Sequence, residues 1–392
     1  MRVTGSQLLV VLLAGAALLA SLFAQAFLPA RFLLDHGHIE RVIHDPEVSP
    51  ENTSFQAIAA LYRAIGVGSA PEAAALLGVA VLVLALALAI GFERLAHIGI
   101  VDALLLGAAL LVGVAYLAQY SKEFVTALVV VGLLVWGGRR GGDLFVVLAC
   151  LGYAATMRPY WVLVAVLYVA GRWVLPRLRN PLWLPVLALA VYVVAQPVFV
   201  LALGTDLDGQ RAWLNAERAD VDVATLITAP LPGEGPVSAV LGTLLVLLLL
   251  VVPVGLLTSG AVYHTAAGLL ILGLWACTFT AIATGACRRR PREVDTADPV
   301  LRARAAALLL ALLVVQAIFE PDYGSYLKHL APMLPLMVAV VARHPATATN
   351  RRLRAARAAA VRGHGMSATA HAAAPGDPPS GRHAPASQEA AP

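Results

Sequence analysis

Apolar runs separated by polar turns recur along the chain, at residues 7–29, 73–92, 98–118, 124–137, 143–157, 161–175, 181–203, 237–257, 266–286, 303–318 and 329–342. Runs of about twenty residues match the helix length that crosses a bilayer, so the pattern predicts an all-α, polytopic inner-membrane helical bundle of roughly 10–12 transmembrane segments. The segments at 124–137, 143–157 and 161–175 are shorter, which predicts helices that bend or tilt inward. Two long polar connections, about 30–72 and 204–236, are expected on the outer face. Within the first, Ile58, Leu61, Tyr62 and Ile65 recur at helical spacing and predict a short interfacial helix. Residues 1–345 are read as the transmembrane domain and 346–392 as a basic, then disordered, cytoplasmic tail.

Charge sets the expected orientation. Arg139, Arg140, Arg172, Arg177 and the tail arginines Arg351, Arg352 and Arg354 mark the cytoplasmic side, with both termini there. Crossings counted from the two ends disagree over 237–286, because two full crossings would leave Arg288–Arg292 outside. One of those segments is therefore expected to be re-entrant, broken near Pro253 or around Gly260–His264, unless a third crossing lies there.

Composition removes whole classes of function. With 60% hydrophobic and 13% charged residues and a mean hydropathy of +0.80, lipid must be the solvent for most of the chain. The net charge of +5 belongs largely to arginines in topology-setting loops, which excludes a nucleic-acid partner. Cys150 and Cys277 lie in apolar segments and Cys287 opens a basic loop, so neither disulfides nor a zinc site are expected. Lysine is confined to Lys122 and Lys328, each at the end of an apolar segment beside a glutamate or a histidine.

Unusual polar residues recur where spans meet the outer face. Asp35 sits among His36, His38, His44 and Asp45, a set without a metal-ligand frame, and no metal or other cofactor is expected. Lys122 and Glu123 form one turn, for which mutual pairing is the structural alternative. Arg158-Pro159-Tyr160 forms another, where an arginine near hydrocarbon must pair, snorkel or face a wet cavity. Arg211, Asn215 and Arg218 share a helical face that would suit a phosphate or sugar, or would pair with nearby carboxylates in solvent. Glu320, Asp322, Tyr323, Lys328 and His329 crowd a short connection near the end of the bundle. A single outward-opening cavity holding cations and carboxylates together accounts for all of them.

Asp35 and its neighbours, Asn52-Thr53-Ser54-Phe55 leading to Leu61-Tyr62-Arg63, Ser121-Lys122-Glu123, Arg158-Pro159-Tyr160-Trp161, Asn215 with Arg218, and Glu320-Pro321-Asp322-Tyr323-Gly324-Ser325-Tyr326 resemble, in this order, the bacterial O-antigen and exopolysaccharide polymerases. The resemblance extends as a pattern over most of 1–345, with fewer loop arginines than the family's best-known members. It implies transfer of a growing glycan from a polyprenyl diphosphate carrier to a new lipid-linked repeat unit on the outer leaflet. Expected partners are those glycan substrates, membrane lipids, and a chain-length regulator or export protein.

In that chemistry, Lys122, Arg158, Arg218 and Lys328 are candidates to hold the leaving diphosphate, with Glu123, Tyr160, Asn215, Tyr323 and His329 lining the substrate. Asp35, Glu320 and Asp322 are the candidate catalytic carboxylates, and each of them or His329 could serve as the base for the acceptor hydroxyl. Glu320 and Asp322 come first, because apolar neighbours would raise a carboxylate's pKa. A transferase using a polyprenyl monophosphate sugar, with Asp35 and Asp45 as its acid and base, is one alternative. A lipid-linked glycan flippase is another, disfavoured by aliphatic midplanes and the lack of an internal repeat.

Overall fold

The computed structural model describes residues 4–48, 53–178, 180, 182–216, 225–228, 231, 235–286 and 297–342. In chain order its α-helices are α1 (Gly5–Phe27), α2 (Leu34–His44), α3 (Thr53–Ala64), α4 (Pro71–Ile90), α5 (Ile100–Leu117), α6 (Glu123–Trp136), α7 (Gly142–Thr156) and α8 (Trp161–Val174). They continue with α9 (Trp183–Leu203), α10 (Leu207–Ala216), α11 (Pro236–Val251), α12 (Val254–Leu257), α13 (Val262–Ala281), α14 (Ala297–Phe319), α15 (Tyr323–Leu330) and α16 (Leu334–Ala342). Among the described residues, seven helical segments are long and apolar enough to cross a membrane, and α6, α7 and α11 are shorter apolar helices. The protein is a polytopic membrane helical bundle, in which intrahelical hydrogen bonds satisfy the backbone without water. One compact unit covers Met1–His344; the tail from 345 onward lies outside the described residues.

The bundle is organised around α14. Burial reaches 89% of its apolar window, against 17% for α1 and 22% for α9, which therefore face lipid. Ala305, Ala306 and Ala307 explain its position, since short side chains let α8 approach closely; Gly171 of α8 faces Ala307. At one end of α14, Arg304 donates to both carboxylate oxygens of Asp143, at 2.9 and 2.8 Å. Arg172 (2.7 Å) and the Tyr168 hydroxyl (2.6 Å) bond the same carboxylate, and Arg304 also donates to the carbonyls of Gly137 and Arg139. This knot ties α7, α8 and α14 to the α6–α7 turn, where Gly141 adopts φ 85°.

The other end of α14 is closed by a different arginine. The carbonyl of Ala317 would normally accept from the N–H of residue 321, but that residue is Pro321, which has none. Arg211 of α10, 3% exposed, supplies the missing donor, and it also bonds the carbonyls of Glu320 (3.2 Å) and Ile227 (3.4 Å). Residues 225–228 pair with the chain beyond Phe319, through Ile227 N–H to Pro321 O and Tyr323 N–H to Thr225 O. The short spacing between Phe319 and Tyr323 is thereby fixed from outside the helix.

Pro253 and Gly260, the latter at φ 75°, break the chain between α11 and α13. The middle of α11 packs on α10, with Gly242 beside Asp208, and its last turn offers the Leu249 carbonyl to the Tyr323 hydroxyl. The first turn of α13 lies at that same end, where Tyr263 stacks under Arg31. The segment α11–α12 thus keeps to the Glu320 end, and its apolar run does not carry the chain across. The first polar connection, 30–72, folds into α2 and α3. Its apolar face is not turned to lipid: Ile39, Val42, Ile58 and Tyr62 are buried against Ala74, Tyr120 and Phe124. Ile65 remains exposed.

Candidate functional site

Four turns meet at the Glu320 end of the bundle. The turn between α7 and α8 exists because Pro159 stops the helix: the N–H groups of Met157 and Arg158 both reach back to Tyr153 O, and the chain restarts with Trp161 N–H on Arg158 O. This projects Arg158 onto Glu123, whose carboxylate it bonds at 2.8 Å, and onto the Tyr160 hydroxyl at 3.1 Å. Glu123 is 1% exposed and lies at the start of α6. Its turn is held by Tyr62, whose hydroxyl donates to Ser121 O and accepts from Ser121 N–H, both at 3.1 Å.

The α14–α15 connection supplies the rest. His329 Nδ1 bonds the Glu320 carboxylate, and its Nε2 stands 3.6 Å from Glu123 Oε1. Lys328 pairs with Asp35 of α2. Lys122 reaches no carboxylate among the described residues; its Nζ lies 3.7 Å over the Phe55 ring and 3.5 Å from Ser54 Oγ. Asp35, Lys122, Glu123, Arg158, Tyr160, Glu320, Lys328 and His329 are therefore brought together from α2, α5–α6, α7–α8 and α14–α15.

The charges shape one another. Burial would raise the Asp35 pKa, but Lys328, Lys122 and Arg158 hold it well below the usual carboxylate range. Burial pulls Lys122 down to about 8, reinforced by Arg158 and Lys328 and opposed by Asp35 and Glu123. Arg158 is pushed up by Glu123 and by the Tyr160 and Tyr153 hydroxyls, against the cost of its burial. For Glu320 the sequence-based expectation fails. Burial does favour its neutral form, but His329 and Arg158 outweigh it and hold the carboxylate ionised.

Other expected site residues serve the scaffold. Asp322 is the N-cap of α15, its carboxylate accepting from Ser325 N–H at 2.8 Å. Tyr323 bonds Leu249 O, and Asn215 donates to Ile227 O. Arg211, read in the sequence as part of a phosphate-binding face with Asn215 and Arg218, is committed to backbone carbonyls. Arg218 lies outside the described residues. We expect Asp322→Ala to cost about 1 kcal/mol of stability while Asp322→Asn, which can still cap, costs little. Thermal unfolding of the two purified variants checks this, and a much larger loss of turnover than of stability in Asp322→Asn would return Asp322 to the reacting centre.

A balanced set of three cations and three carboxylates around one imidazole, at the rim of an apolar bundle, can hold a polyanion and take up a proton at one place. No protein-family model, curated protein or solved structure matches the chain.

Proposed function

We propose that the Glu320 end of the bundle transfers a glycosyl group between lipid-linked saccharides, the donor being a polyprenyl diphosphate-linked glycan. The observation that carries this reading is the convergence of Lys122, Arg158 and Lys328 with the Glu320–His329 pair at one end of a membrane bundle. A lipid-anchored diphosphate delivers its charge at that level while its chain stays in hydrocarbon. When the acceptor hydroxyl attacks the anomeric carbon, the C–O bond to the diphosphate breaks and the diphosphate leaves with the electron pair. The three cations stabilise that charge. The acceptor's proton passes to His329 Nε2, on a ring that Glu320 orients through Nδ1 and whose Nε2 stands 3.6 Å from Glu123 Oε1. Arg158 is fixed by Glu123 and Tyr160, whereas Lys122, resting on a hydroxyl and an aromatic face, is the cation free to turn toward an incoming phosphate.

The reading is tested by reconstituting the purified protein in liposomes with a polyprenyl diphosphate-linked repeat unit and sizing the products. A ladder of repeats is expected. Single additions that require a polyprenyl monophosphate sugar would replace it with the alternative transferase.

Lys122 adds a pH signature. Below about 8 its amine is charged, and above that it is neutral, so diphosphate binding should weaken as pH rises through 8. Stability should move the opposite way. Between about 8 and the ordinary lysine value of 10.5 the unfolded chain binds more protons than the folded one, so raising the pH stabilises the fold. Lys122→Arg should extend anion binding to higher pH; an unchanged pH profile in that variant would remove Lys122 from the phosphate site.

A further inference from the structure

Next to the charged groups, four helices each place a buried polar atom that makes no hydrogen bond of regular geometry. They are Thr126 Oγ1 on α6, Tyr153 OH on α7, Trp161 Nε1 on α8 and Gln316 Nε2 on α14. Each residue is at most 2% exposed. Within their helices Thr126 follows Glu123 by three residues and Gln316 precedes Glu320 by four, with its carbonyl accepting the Glu320 N–H, while Trp161 opens α8 directly after the Arg158–Tyr160 turn. The Tyr153 and Trp161 rings lie 4.4 Å apart. The Tyr153 hydroxyl lies within reach of the Thr126 hydroxyl for a loose hydrogen bond and stands within electrostatic reach of both Arg158 and Glu123. The Tyr153 and Thr126 hydroxyls can bond each other, which still leaves one O–H of that pair, the Trp161 indole N–H and the Gln316 amide without an acceptor, and each such buried donor costs enough to call for an occupant.

We infer that this set is a hydroxyl-binding floor beside the charged cluster, occupied by ordered water at rest and by hydroxyl groups of the saccharide when substrate binds. The donor set fits that chemistry. Indole N–H and amide NH2 can only donate, and the tyrosine and threonine hydroxyls can do either, so the floor offers donors to neutral oxygen without adding charge of its own. Phosphate would be held by the neighbouring cations, and the sugar would be read beside them. The assignment of the saccharide rests on the glycosyl-transfer reading; the hydration of the floor does not.

Two measurements separate the two parts. In wild-type protein without substrate, in lipid nanodiscs and imaged at a resolution that resolves water, ordered density should lie within hydrogen-bond distance of at least two of the four atoms. A dry floor overturns the inference whatever the protein transfers. In the liposome assay with the lipid-linked repeat unit, Tyr153→Phe and Thr126→Val should raise KM roughly fivefold to tenfold with a smaller effect on kcat, as expected for loss of a neutral hydrogen bond. Both substitutions keep the apolar volume, so the melting temperature should change by only a few degrees. Unchanged KM in both variants overturns the saccharide assignment, as does a KM effect matched by a general loss of folded protein.

Discussion

Arg158→Ala should abolish chain growth. Removing a preorganised cation from a water-poor site costs about 10²–10³ in rate through lost stabilisation of the leaving group. The same substitution strands Glu123, which is 1% exposed and accepts its 2.8 Å bond from Arg158. Leaving one partner of a buried ion pair uncompensated costs about 3–5 kcal/mol, so the single variant should also be visibly less stable. The two effects are separable. Adding Glu123→Gln to Arg158→Ala removes the orphaned charge and should recover much of the stability without recovering turnover. Thermal unfolding and product sizing on the same preparations check this, and recovery of both would make Arg158 a structural residue only.

His329→Gln should be the second severe variant, lowering turnover by about 10²–10⁴ through loss of the base. Glu320→Gln should approach it, since the amide no longer fixes which ring nitrogen carries the proton. Glu320→Asp keeps the charge but shortens the reach, and should lie between. Separate measurement of kcat and KM distinguishes a base from a binding group. A fall in kcat with unchanged substrate affinity is expected in His329→Gln, and a pure rise in KM would assign His329 to binding.

Much of this architecture is legible in the chain. Apolar runs of bilayer length give the helices, and residues that are expensive near hydrocarbon, such as Arg158 and Glu123, mark the level of the site. The break at Pro253 and Gly260 is one of two readings of the sequence, since two full crossings between 237 and 286 would leave Arg288–Arg292 outside and a third crossing would answer that as well. What periodicity does not carry is partner choice. Nothing in the run around Arg211 says that its guanidinium closes α14, although the clue is present: Pro321 lacks the N–H that Ala317 O needs, so a donor must come from elsewhere. Asp322 and Glu320 look alike in sequence, yet one caps a helix and the other grips His329. Arg304 and Arg172 mark one end of the bundle by their charge, but the Asp143 knot they form depends on a contact spanning 161 residues. The buried polar atoms of Thr126, Tyr153, Trp161 and Gln316 are invisible as a group in sequence because each comes from a different helix.

The central claim is that Lys122, Arg158 and Lys328 act together as a diphosphate site. The most direct measurement is the affinity of the purified protein in nanodiscs for farnesyl diphosphate and farnesyl monophosphate at neutral pH, in the wild type and in Arg158→Ala carrying Glu123→Gln. Binding of the diphosphate at least tenfold tighter than the monophosphate, with that preference lost in the double variant, is the predicted result. Equal affinity for the two lipids in the wild type, or a preference that survives in the double variant, would contradict it.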